Sequence, residues 1–148
     1  MKTSILFLLL IGSIIRAEVK TNIYADVMNI STSGIQGYYT FNVTIKSPDT
    51  GCDQYADWWE VVSTDGVLIY RRILAHSHVD EQPFTRPGGN IQISSDQEVI
   101  VRAHMNNTGY GGKVMVGSVK FGFQQKPHKP GFALSLEKKE PLPEGCAF

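Results

Sequence analysis

Tyr39, Phe41, Val43 and Ile45 alternate with Thr40, Asn42 and Thr44. An extended chain turns the first set to one face and the second to the other. That period of two fits a half-buried β-strand and no helix, and it recurs along the chain. Val19 to Ile30 carries Val19, Ile23 and Val27 in register, and Tyr38 to Ile45 ends at the turn cluster Ser47-Pro48-Asp49-Thr50-Gly51. Trp58 to Thr64 and Val67 to Leu74 are apolar stretches separated by Asp65-Gly66, which supplies the positive φ angles of a two-residue type I′ hairpin turn. With Thr64 opposite Val67, Val62 faces Ile69, Glu60 faces Arg71 and Trp58 faces Ile73. The opposed charges favour that register by about a few tenths of a kcal/mol.

Further strands are expected at Ile91–Ser94, Glu98–Met105 and Lys113–Phe123. Asp80–Asn90, with Pro83, Pro87, Gly88 and Gly89, reads as a polar connection, and Asn106–Gly112 as a glycine-rich loop. About seven strands at hairpin spacing, without helical periodicity, predict an all-β chain. The expected architecture is a single antiparallel β-sandwich of immunoglobulin or fibronectin type III character. An antibody-like Cys…Trp…Cys core is excluded, because Cys146 falls in the tail. Within that tail, Gln124–Phe148, prolines and lysines favour extended chain, and the alternation of Phe132, Leu134 and Leu136 suggests a short strand.

The chain has 148 residues. Lys2 precedes an apolar run from Ile5 to Ile15, closed by Arg16-Ala17, and this reads as a secretory signal peptide. The eleven-residue run, interrupted by Gly12 and Ser13, is too short to cross a bilayer, which takes about 20. No cysteine near Ala17 offers a lipid tether, and no later segment has the length of a transmembrane anchor. The expected organisation is a signal peptide over 1–17, a β-sandwich over 18–123 and a tail over 124–148. The expected location is secreted, or periplasmic in a Gram-negative cell.

Fourteen basic residues balance fourteen acidic ones, and loss of Lys2 and Arg16 leaves a formal charge of −2. No basic footprint for nucleic acid results. Cys52 and Cys146, the two cysteines, are expected to form a disulfide in an oxidising compartment.

Chemistry concentrates in His76-Ser77-His78-Val79-Asp80-Glu81. On an extended chain His76, His78 and Asp80 point the same way, and two imidazoles at that spacing suit zinc or copper. His104 is the expected third ligand, with Asp80 or Met105 completing the set. A polar pocket is the organic alternative. In it Arg86 and Arg102, near Glu81 and Gln82, would receive a carboxylated or sulfated group through their planar forks. The plainer account of the same residues is a solvated face with Arg86 paired to Glu81. Trp58 and Trp59 must point to opposite faces. Trp59 near Tyr55 and Asp57, and Tyr110 in the glycine-rich loop, are candidate contact aromatics for a protein or carbohydrate. Three glycosylation sequons are present, at Asn29, Asn42 and Asn106.

Catalysis has little support. G-x-S-x-G and H-E-x-x-H are absent, and Ser77 points away from both flanking histidines on an extended strand. The expectation is a secreted, non-enzymatic binding domain that uses one loop end, with a zinc or copper protein as the alternative.

Overall fold

The computed structural model describes residues 22–147; the signal-peptide reading of 1–17 lies outside them. Eight strands and one short 3-10 helix follow in order. They are β1 (Asp26–Ile35), β2 (Tyr38–Lys46), β3 (Ala56–Ser63), β4 (Leu68–Ile73), β5 (Phe84–Ile91), β6 (Val99–Met105), β7 (Val114–Ser118) and β8 (Gly122–Lys126), then the helix Leu134–Lys138. They form two antiparallel sheets, one of three strands ordered β1-β2-β5 and one of five ordered β4-β3-β6-β7-β8.

The alternation of β2 has the expected consequence. Tyr39, Phe41, Val43 and Ile45 are buried between the sheets, while Thr40, Asn42 and Thr44 face outward. Opposite them pack Trp59, Val61, Val99, Val101 and Ala103 from the larger sheet. Each such large apolar side chain contributes about 1.5–3 kcal/mol on burial.

The β3–β4 hairpin forms with a different turn. Gly66 donates its N–H to the Ser63 carbonyl and Ser63 donates to Val67, closing a three-residue loop with Gly66 at φ 91°. This is a type I turn followed by a bulge rather than a two-residue I′ turn. Val62 therefore faces Leu68 instead of Ile69, and an irregularity between Val61 and Val62 restores Glu60 opposite Arg71 and Trp58 opposite Ile73.

Four stretches depart from the sequence expectation, one of them Ile91–Ser94, of which only Ile91 lies in a strand, the end of β5. Asp80–Asn90 is largely strand β5, whose prolines and glycines imitate a loop. Pro87 is tolerated because β5 is a sheet edge, where an absent N–H breaks no ladder. Gly88 is required because a Cβ there would lie 2.6 Å from the Trp59 ring. Lys113–Phe123 divides into the hairpin β7–β8, and Leu134–Lys138 is helical rather than extended. β1 begins at Asp26 and runs on past Ile30 to Ile35, and the expected start at Val19 lies outside the described residues.

Register divides the connections between two ends of the molecule. The turns 35–38, 63–68 and 118–122 and the loop 91–99 share one pole, joined by bonds from Gly37 N to Ile93 O and from Lys120 N to Ser95 O. The loops 46–56, 73–84 and 105–114 form the opposite pole. There Cys52 bonds to Cys146 across a sequence separation of 94, with Cα atoms 5.5 Å apart.

Candidate functional site

The outer face of the five-stranded sheet carries a buried charged cluster. Register sets Glu60 between Arg71 on β4 and Arg102 on β6, all on the face turned away from the smaller sheet. Arg71 donates from Nε (2.8 Å) and Nη2 (2.6 Å) to Glu60 Oε2, and Arg102 donates from Nε (2.8 Å) to Oε1. Tyr110 adds its hydroxyl to Oε1 at 2.9 Å and receives the Trp58 indole N–H at 3.3 Å. Burial, then the Glu60 charge, pushes the Tyr110 phenol far above its ordinary range. Each guanidinium also lies over a ring: Arg71 is 4.4 Å from the Trp58 centroid and Arg102 is 3.5 Å from that of Tyr110.

The C-terminal segment covers this face. Arg102 donates to the carbonyls of Phe132 and Ala133, and Arg71 to those of Leu136, Lys139 and Pro141. Five main-chain acceptors of the C-terminal segment are thus bound by two cations that a single carboxylate orients. Charge-assisted bonds of this kind contribute about 1.5–3 kcal/mol each. Toward the disulfide pole His104 stacks on Trp58 at 3.6 Å and meets Asp57 Oδ1 through Nδ1 at 2.7 Å, while its Nε2 lies 3.6 Å from Glu137 of the tail. Burial holds the Asp57 carboxyl above its ordinary value, against the lowering effect of the bond to His104.

The residues expected to bind a metal are separated in role. His78 is buried, stacks on Phe84 at 3.8 Å, and donates its main-chain N–H to Asp49. Neither of its ring nitrogens has a hydrogen-bond partner among the described residues. Burial, then Arg86, holds its imidazole below the ordinary value of 6.5. His76 lies beside it, ring centroids 4.5 Å apart, and Asp80 is exposed. His104 is committed to Asp57 and Trp58, and Met105 is in the core. Among the described residues no set of three or more His, Cys, Asp and Glu side chains is arranged to hold a metal ion.

The contact aromatics also fall elsewhere than expected. Trp59 is the inward member of its pair and fully buried in the core; the outward one, Trp58, is covered by Arg71 and His104. Tyr110 is buried within the Glu60 cluster, and Arg102 beneath the tail. Arg86 forms a two-pronged pair with Glu81, at 2.7 and 3.3 Å, as the plainer account has it. Among the described residues the exposed aromatics are Tyr38 and Phe121, neither of which the sequence singled out. With Ile35 and Val67 they occupy three hairpin turns at the pole away from the disulfide, 63%, 76%, 72% and 52% exposed respectively. The signal was present in the sequence as apolar residues beside glycines at turn positions.

No protein-family profile matches the chain, and no solved structure does. A protein of Halomicrobium mukohataei named "Putative lipoprotein" is 36% identical over 114 residues, which cover 73% of this chain. The matched chain spans 56% of that relative's length. The disulfide and this similarity point to an extracytoplasmic location. No helix among the described residues is long and apolar enough to cross a membrane.

Proposed function

We propose that this chain is an extracytoplasmic, non-enzymatic binding domain that docks a protein partner through the pole formed by the β1–β2, β3–β4 and β7–β8 turns. The observation that carries the reading is the presence there of Ile35, Tyr38, Val67 and Phe121, each more than half exposed among the described residues. Solvated apolar side chains clustered on hairpin tips are the usual basis of an association surface. The charged cluster on the sheet face is by contrast occupied by the chain's own tail and serves its architecture. Connections β2–β3, β4–β5 and β5–β6 cross between sheets, and Trp59 is buried on the third strand. Both features suit an immunoglobulin-like or fibronectin type III-like sandwich, a scaffold that presents loops at its ends.

A double variant, Tyr38→Asp with Phe121→Asp, tests this. Immobilised wild type should retain a partner from the extracellular material of its own source. The double variant should lose it at an unchanged thermal midpoint, and Val79→Asp, at the opposite pole, should keep it. Equal retention by all three proteins would contradict the reading. A carbohydrate partner has one observation in its favour: Phe121 borders a cleft of about 250 Å³ lined also by Asp96, Glu98 and Gln124, a ring beside groups that bond hydroxyls. A glycan array with wild type and Phe121→Ala tests that alternative.

A further inference from the structure

The pairing of β1 with β2 joins two of the three sequons. Asn29 lies opposite Thr44 and Ser31 opposite Asn42, so each acceptor asparagine faces the hydroxyl residue of the other sequon. All four belong to the outward face of the three-stranded sheet, and neither carboxamide makes a hydrogen bond among the described residues. The two asparagines are diagonal neighbours, with Cβ atoms about 7–8 Å apart in such a ladder, enough for two separate attachments. The third sequon differs. Asn106 accepts the Tyr55 N–H at 3.0 Å and donates to the Cys52 carbonyl at 2.9 Å, while Thr108 donates to Ile23 O at 2.9 Å. Its amide is a structural link in the loop beside the disulfide.

A second observation gives the paired sequons a purpose. β1 is the edge of its sheet and, beyond Asp26, its ten residues hold no charge. The outward face it shares with β2 is built of Asn29, Ser31, Ser33, Thr40, Asn42 and Thr44. Edge strands are normally blunted by charge, proline or a bulge; here Val27 is bonded to Lys113 and Gln125 and an irregularity follows it before Asn29, while the stretch from Ile30 to Ile35 carries neither charge nor proline. A bulky, hydrated group on Asn29 would prevent the strand from templating another.

We propose that Asn29 and Asn42 are a paired N-glycan acceptor site that coats this face, and that Asn106 is not glycosylated. The donor class is a lipid-linked oligosaccharide. The Asn Nδ2–C1 bond forms as the C1–O bond to the lipid phosphate breaks, the phosphate leaves with the electron pair, and Nδ2 releases one proton. The disulfide identifies the kind of compartment in which such transfer occurs.

Intact-glycopeptide mass spectrometry tests this on the full chain exported by a cell that N-glycosylates its secreted proteins. Glycans on Asn29 and Asn42 with a bare Asn106 are expected. Ser31→Ala should remove only the glycan on Asn29, and Thr44→Val only that on Asn42. A bare Asn29 or Asn42 in the exported wild type, or a glycan on Asn106, overturns the proposal. Failure of a variant to be exported leaves the wild-type occupancy as the deciding result.

Discussion

Glu60 shows how much one side chain can organise. It is fully buried, and its two oxygens hold both guanidiniums and the Tyr110 hydroxyl. Removing it strands two cations beneath the tail, so Glu60→Ala should lose about 3–5 kcal/mol in urea denaturation. Glu60→Gln should lose less, because the amide keeps one acceptor. His78 gives a prediction in pH. Its folded-state value lies below the unfolded 6.5, so the unfolded chain binds the proton first as pH falls. The stability linked to this group is therefore complete above pH 6.5 and is lost below it, toward the folded value. Asp49 and Glu81 oppose that loss, and Arg86 and His76 reinforce it. The thermal midpoint of wild type should fall between pH 7 and about 5, and His78→Phe, which keeps the stack on Phe84, should reduce that fall.

Strand β5 carries the clearest lesson at the scale of elements. Adjacent positions should respond in opposite ways. Gly88→Ala places a methyl against the Trp59 and Tyr70 rings and should cost about 1–3 kcal/mol. Pro87→Ala on the edge should stay within about 0.5 kcal/mol. Denaturation midpoints of the two variants check both. The residues that make β5 fit its neighbours, Pro87 at an unpaired edge and Gly88 under an indole, are the same residues that make it read as a loop. Alternation made β2 legible, and the opposed charges of Glu60 and Arg71 made the β3–β4 register legible despite the different turn. The partners of that pair were not legible. Arg102 reaches Glu60 only because β6 lies beside β3, forty-two residues away in sequence, and the acceptors come from main-chain carbonyls of a tail whose prolines and lysines favour extended chain. His76, His78 and His104 do lie toward one pole, yet stacking and pairing commit two of them separately.

For the whole molecule, the two faces and two poles have different duties. The tail is fastened to the larger sheet by five carbonyl contacts and by the Cys52–Cys146 bond at its end. Cys146→Ser should therefore cost up to about 4–5 kcal/mol by the chain-entropy argument. It should also speed amide exchange at Ala147, which donates to Ala75 O, before it affects β3 or β6. With that face covered from within, the proposed association is assigned to the apolar pole. Site-specific photo-crosslinking tests this assignment most directly, with a photoreactive residue at Phe121 or at Val79 and the partner-containing extracellular fraction as target. Adducts are expected from position 121 and none from position 79. Adducts from 79 alone would place recognition at the disulfide pole and contradict it.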